Sequence, residues 1–384
     1  MTNLLQRLIA GATLTFSTDR GFGGCVALAV LLAGCSSTMP PPHDEALIGG
    51  SPPRYSLVFI IHGDGDYLYH DTLGEARRAD EDVLARVQAV AERLPDAEVT
   101  IFHQIKRRHV LFVVPRYDGR AYYYRHGRLL DKTSYWRDQG DSHFAPETNL
   151  YAQFAGVQSR PPVQMTFYFG HELPEFNGVG YDASYPERSV TIEDLAGGVS
   201  TLAGESGQID LLVLATCFGG TPHTIGALAP YARTIIASPE NLHLSYFDLE
   251  PLASLDVKTG AADVAAFADR FARNAFDRLV GEVQTVASVV VYDVDATNDF
   301  RASVAGDYDR ALTMARGMPA SANHCDCADD STYARPAMGK GLTVLYRAPR
   351  FGRMKNEQHH SGWACWHVGE AGRVQNGENA GARK

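Results

Sequence analysis

Apolar residues fall into short runs, and stretches with helical spacing separate them. Tyr55–His62 (YSLVFIIH), Glu98–Gln104, Val163–His171 (VQMTFYFGH), Ile209–Cys217 (IDLLVLATC), Thr234–Ser238 and Val286–Val291 (VASVVV) read as strands bounded by breakers. Several of these runs are apolar at neighbouring as well as alternate positions, which is the pattern of strands covered on both faces. Between them, Glu75–Leu94, Ile192–Leu202 and Ala261–Val280 carry apolar residues at helical spacing. The alternation predicts an α/β fold with an open, mostly parallel central sheet flanked by helices. His109–Gly127, with Asp118-Gly119 at its middle between apolar arms, predicts an inserted β-hairpin.

The two ends break this pattern. Arg7 and Arg20 precede an uncharged apolar stretch, Gly21–Gly34, which is too short to span a bilayer as a helix and suits a signal h-region. Leu32-Ala33-Gly34-Cys35 closes it and resembles the lipobox of bacterial lipoproteins. That resemblance implies cleavage before Cys35, lipidation of the Cys35 thiol, and tethering to the bacterial cell envelope. Ser36 stands where an Asp would favour retention at the inner membrane, so the expected location is the outer membrane. A plain cleavage site or a short core helix is the alternative reading. The expected organisation is a signal peptide over 1–34, a lipidated Cys and Pro/Ser/Gly-rich linker over 35–54, one domain over 55–368, and a loose Gly/Ala-rich tail over 369–384.

Composition narrows the function classes. The chain has 384 residues, 45% of them hydrophobic and 21% charged, as folded globular proteins do. Asp and Glu total 45 against 35 Lys and Arg, a formal net charge of −10, so no basic excess is available to neutralise phosphates and nucleic acid is not an expected partner. Six cysteines in a chain of this length do not make a disulfide scaffold.

In an open parallel sheet the ligand crevice lies beyond the carboxyl ends of the strands. Two reactive side chains close strands there, His171 after VQMTFYFG and Cys217 after IDLLVLAT. The separation suits a loop, a helix and one return, so the two strands are expected to be neighbours with both side chains on one rim. A thiol becomes a strong nucleophile when an imidazole or fixed dipoles favour its thiolate. Phe218-Gly219-Gly220 follows in a tight turn expected to leave backbone N–H groups for an oxyanion. The plainer alternative is an inert core cysteine and a structural strand-end histidine.

At these residues the chain resembles the clostripain family of cysteine peptidases, relatives of caspases and gingipains. The matching pieces are Gly170-His171, Leu211–Cys217, and Ile235-Ile236-Ala237-Ser238-Pro239-Glu240. Leu57–Asp66 (LVFIIHGDGD) sits at the family's first strand, and Glu147-Thr148-Asn149-Leu150 stands where a helix is about to begin. Asp248–Leu252 and Tyr292–Leu312 continue the match more loosely, so that it covers roughly residues 55–315. The resemblance implies a caspase-like fold and a cysteine endopeptidase acting on peptides or proteins. Cys217 would be the nucleophile and His171 the proton donor to the leaving amine, with an oxyanion hole from the backbone N–H groups of Cys217 and Glu172.

Two positions depart from the family pattern. Glu172 replaces the usual Gly after the histidine, where its side chain would shade the oxyanion site or strain the turn if φ were positive. Ala215 replaces the Asp that basic-specific members carry two residues before the cysteine, so no P1 preference carries over. Both favour a rival reading, a catalytically inactive envelope lipoprotein acting in binding or assembly.

A third reading is an α/β-hydrolase-like esterase. His62-Gly63-Asp64-Gly65 would be its oxyanion loop, Ala215-Thr216-Cys217-Phe218-Gly219 its nucleophile elbow, and Asp295 with His324 or His359 the remaining partners. The plain alternative for His62 is a strand-end residue packed beside the first loop. Near the C-terminus His324-Cys325-Asp326-Cys327 joins His359, His360, Cys365 and His367 in a dense ligand cluster. The spacing matches no familiar zinc motif, and a disulfide from Cys365 to Cys325 or Cys327 is the simpler expectation in an oxidising envelope. Tyr122-Tyr123-Tyr124, Tyr67 and Tyr69 read as surface or packing residues that stand open to lining a groove. Asp64 and Asp66 are solvated loop acids or calcium ligands. No other cofactor is expected.

Overall fold

Every position of the Tyr55–Gly63 strand (β1) is buried, as the apolar run Leu57–Ile61 at its centre requires of a strand covered on both faces. The computed structural model describes residues 51–351 apart from 66, 71–73, 111–113, 141, 143, 156–160, 175–181, 189, 243–246, 256–262 and 298–340. The signal segment, Cys35, the linker up to residue 50, the Cys325, Cys327 and Cys365 cluster and the C-terminal tail lie outside the described residues.

After β1 come a short ribbon of β2 (Leu68–His70) and β3 (Ala76–Arg78), helix α1 (Ala79–Ala91), and strand β4 (Ala97–Ile105). A second ribbon, β5 (His109–Val110) with β6 (Val114–Pro115), leads to β7 (Gly119–Arg125), β8 (Arg128–Tyr135) and α2 (Ala145–Ala155). Then follow β9 (Val163–Phe169), α3 (Ile192–Ala203), β10 (Ile209–Ala215), α4 (Pro222–Leu228), β11 (Ala232–Ala237), α5 (Val264–Glu282), β12 (Ala287–Asp293) and β13 (Leu342–Arg347).

Nine of the strands form one sheet in the order β13-β12-β11-β10-β9-β1-β4-β7-β8. The centre, from β11 to β4, is parallel, and both flanks are antiparallel. The open, mostly parallel sheet expected from the apolar runs is therefore present. Alternating strand residues feed two cores. Leu57, Phe59, Ile61, Phe167 and Val213 pack with α1 and α5 on one face. Val58, Ile60, Tyr168, Leu212 and Leu214 pack with α2, α3 and α4 on the other.

The chain moves from β1 outward to β4 and then returns to β9 on the opposite side of β1. That reversal makes the carboxyl ends of β1 and β9 a topological switch point, where neighbouring loops diverge and leave a crevice. His62 lies at the end of β1, and His171 follows the end of β9.

Two expectations are corrected. The hairpin turns at His126-Gly127, not at Asp118-Gly119. Both turn residues have left-handed backbone (φ 53 and 72), and Arg125 pairs with Arg128, as a two-residue turn requires. Gly119 instead starts β7, and Asp118 is a buried carboxylate that receives the Arg137 amide at 2.9 Å and the Arg107 Nε at 3.0 Å. Glu147-Thr148-Asn149-Leu150 lies inside α2 and does not precede it. Glu147 is buried there and accepts hydrogen bonds from Gln104 (2.9 Å) and Tyr135 (2.6 Å), tying the helix to β4 and β8. Of the two readings of the three consecutive tyrosines of β7, packing holds: all three are buried, two on one face of the sheet and one on the other.

Candidate active site

His171 and Cys217 leave the sheet at matched positions. β9 and β10 are adjacent and parallel, and Phe169 is paired with Ala215, so each reactive residue comes two positions after a partner in register. Both are half-buried. This is the shared rim that the two strand ends predict. Ala215 itself is fully buried in the apolar core, so that position presents nothing to a substrate.

The surroundings of the two residues differ. The Cys217 Sγ accepts the Leu242 N–H at 3.2 Å, from the loop beyond β11. Burial pushes the thiol above its ordinary pKa; the Leu242 N–H opposes this, and the negative charge of Glu172 adds to it. Phe218, the next residue, has left-handed backbone with φ 53, a conformation that costs a bulky residue roughly 1 kcal/mol or more. The turn is held by two amides, Phe218 N–H to the Glu240 carbonyl (3.1 Å) and Gly220 N–H to the Ser238 carbonyl (2.8 Å). Those two amides are committed to the neighbouring loop, which corrects the expectation that the Phe218-Gly219-Gly220 turn offers its N–H groups to an oxyanion. Glu172 is not among the described non-glycine residues with left-handed backbone, so its side chain introduces no strain of that kind.

His171 is seated on Tyr67. The two rings stack with centroids 4.3 Å apart and planes 19° apart, and the His171 N–H donates to the Tyr67 hydroxyl at 2.9 Å. The same hydroxyl lies 2.8 Å from Nδ1 of His62. Tyr67 is 1% exposed and belongs to the core, so this contact is fixed from below. Burial is the main reason the His62 pKa falls to about 3, with the Arg137 charge next.

Beside them lies a cavity at the switch point. His62, Gln104, Arg137, Tyr168, His171, Glu172, Asp182 and Arg188 are among the residues that line it. Cys217 is not part of that lining. Arg137 is buried and donates to Asp64 at 2.7 Å and also to Asp182. Burial, followed by a hydrogen bond to Asp182, pushes Asp64 up to about 7. Burial raises Asp182 as well, yet its hydrogen bond to Asp64 and the Arg137 charge outweigh it and hold the group below the usual carboxylate range. Asp64 is thus neither a solvated loop acid nor an open ligand, but half of a buried pair clamped by one guanidinium. Asp66 lies outside the described residues, and no metal-binding group of three or more ligands occurs among those described.

The hydrolase-like arrangement has little geometric support. The left-handed residue is Phe218, one past the cysteine, and Asp64 of the His62-Gly63-Asp64-Gly65 loop is locked to Arg137. Sequence reasoning missed Arg137 and Asp182 as site residues, and took Tyr67 only as a surface or packing aromatic open to lining a groove. Nothing in their local pattern marks them, because they meet only when β1, β8 and the loops after β1 and β9 are brought to one end of the sheet.

No family model and no curated protein matches the chain. Among solved structures it is similar to an inactive zymogen C11 protease from Parabacteroides distasonis, with 14% identity over 68% of this chain and 67% of that one and a TM-score of 0.43. It is also similar to a secreted C11 cysteine protease from Bacteroides thetaiotaomicron, "iotapain", with 13% identity over 74% and 75% of the two chains and a TM-score of 0.45. A structure of a secreted C11 cysteine protease from the same organism with an irreversible peptide inhibitor gives 12% identity, 67% and 70% coverage, and a TM-score of 0.43.

Proposed function

We propose that the chain is a cysteine endopeptidase of clostripain type, lipid-anchored through Cys35 in the bacterial cell envelope. Cys217 attacks the scissile carbonyl, forming a thioester as the amine leaves, and His171 supplies the proton that the amine needs. Water then cleaves the thioester and restores the thiol. Backbone N–H groups of Cys217 and Glu172 hold the oxyanion formed in each step. The observation that carries this reading is the register of β9 and β10, with Phe169 opposite Ala215 and a reactive residue two positions beyond each. Peptides or proteins are the substrates; with Ala215 buried, P1 selection falls to other residues.

One observation favours the rival reading of an inactive envelope protein. Burial and the Glu172 charge raise the Cys217 pKa, so the resting thiol is mostly protonated. In the peptidase reading His171 must therefore remove the thiol proton as the substrate arrives. A mixed peptide library incubated with the wild-type chain and with Cys217→Ala decides between them. Cleavage that vanishes in Cys217→Ala and falls at least a hundredfold in His171→Ala is the result expected of a dyad. No cleavage of peptides by the wild-type chain under reducing conditions would leave the binding role.

A further inference from the structure

The Tyr67 hydroxyl touches both histidines at the switch point, and counting its proton decides their states. It accepts the His171 N–H at 2.9 Å and lies 2.8 Å from His62 Nδ1. Those are its hydrogen-bonding partners among the described residues. A buried hydroxyl carries one proton and leaves it unpaired only at a cost. With the main-chain amide already donating, that proton has His62 Nδ1 as its acceptor. Nδ1 is therefore unprotonated, and the proton of the neutral ring sits on Nε2.

We propose that Tyr67 is a positioning residue that pins the main chain at His171 and fixes His62 as the Nε2–H tautomer, a neutral hydrogen-bond donor into the cavity. His62 lines that cavity beside His171, and Nε2 has no partner among the described residues. The group suited to it is a carbonyl oxygen of a bound peptide, which accepts from a neutral N–H without requiring a counter-charge. Beside the Tyr67 hydroxyl, the charged and titratable groups acting on the ring are Arg137, Asp182, His171 and Asp80, and Tyr168, Glu172 and Arg188 line the same cavity; burial and the Arg137 charge dominate and disfavour the imidazolium. The donor is therefore available throughout the neutral range. This deepens the peptidase reading and rests on it for the identity of the acceptor. The tautomer assignment is independent of it.

The test uses the full chain labelled with ¹⁵N-histidine, with the His62 resonances identified by their absence in His62→Gln. The expected spectrum has a protonated Nε2 and an unprotonated Nδ1 that do not titrate from pH 5 to 8. Tyr67→Phe keeps the ring that stacks on His171 but removes the bridging oxygen, so His62 should become a tautomer mixture or begin to titrate. In peptide cleavage the same variant should lose about tenfold in kcat with little change in KM, the scale of one lost hydrogen bond of a little over 1 kcal/mol. A wild-type His62 that titrates near 6.5, or that carries its proton on Nδ1, would overturn the proposal. So would a Tyr67→Phe spectrum identical to wild type. Absence of cleavage by the wild-type chain would count against the peptidase reading alone, because the tautomer measurement needs no substrate.

Discussion

The Gly170 amide donates to the Ala215 carbonyl at 3.3 Å, so β9 and β10 are still tied together one residue before His171 and two before Cys217. The reactive residues therefore depart from a shared, rigid edge of the sheet. Beyond that edge each is held by a different neighbour: Cys217 by the Leu242 amide, His171 by Tyr67.

The charge on Glu172 is one of the forces holding Cys217 protonated, after burial itself. Glu172→Gln removes a negative charge without removing bulk, so the thiolate becomes less costly and the Cys217 pKa moves down. Alkylation of Cys217 by iodoacetamide at pH 7.5, followed by peptide mapping, should speed up by roughly two- to fivefold, because rate follows thiolate fraction. An unchanged or slower rate would remove Glu172 from the electrostatics of the thiol.

Asp64 links stability to pH. Its folded pKa, about 7, lies above its ordinary value of 3.8, so the folded state holds the proton more tightly than the unfolded chain does. The stabilisation from that proton is complete below about pH 4 and is lost as pH rises through about 7. Asp64→Asn carries no such titration. From pH 5 to pH 8 the wild-type melting temperature should fall relative to Asp64→Asn, by a few degrees if the effect reaches about 1–2 kcal/mol. Parallel curves for the two proteins would mean that Asp64 is ionised throughout. Arg137→Met is the harsher change, leaving two buried carboxylates with no cation, and should cost about 3–5 kcal/mol in urea unfolding at pH 8.

Much of the fold was legible because buried parallel strands announce themselves. The six apolar runs from Tyr55–His62 to Val286–Val291 all became strands of one sheet, and the adjacency of the strands that precede His171 and Cys217 followed from the spacing of their two runs. The antiparallel flanks were harder to see. β8 (Arg128–Tyr135) is largely solvent-facing and polar, so it lacks the apolar signal of the centre, and β13 (Leu342–Arg347), although bounded by Gly341 and Pro349, is a short, half-buried edge strand without a doubly covered apolar run. Arg137 was invisible, and the role of Tyr67 undecided, for another reason. Aromatic and basic residues in loops are usually surface groups, and only the assembled end of the sheet buries these two against His171, Asp64 and Asp182.

Phe218 occupies a backbone state that glycine tolerates better. Phe218→Gly relieves the strain of φ 53 but adds unfolded-chain entropy, two effects of about 1 kcal/mol each with opposite sign. The net change in the urea midpoint should be small. Phe218→Val places a β-branched side chain in the same state and should destabilise by about 1–3 kcal/mol. Equal stability of the Val and Gly variants would show that the turn is free to flip.

Gly220 is the residue that lets the cysteine loop lie against the next strand's loop. A Cβ there would come within 2.7 Å of the Tyr292 hydroxyl, 2.8 Å of the Pro239 nitrogen and 2.9 Å of the Ser238 carbonyl carbon. Two of those atoms are backbone and cannot swing aside. Tyr292 also donates to the Gly220 carbonyl at 2.8 Å, so its hydroxyl is held in place. Gly220→Ala should therefore cost about 1–3 kcal/mol by overpacking, and should displace the loop carrying Cys217 enough to slow peptide cleavage. Gly197→Ala supplies the contrast. It lies within α3, its Cβ would meet nothing within 4 Å, and alanine is the better helix former by about 1 kcal/mol. That variant should raise the urea midpoint and leave cleavage unchanged. If Gly220→Ala instead matched wild type in both stability and cleavage, the Cys217 loop would have to be loose enough to absorb a methyl group, contrary to the paired amides of Phe218 and Gly220 that hold it.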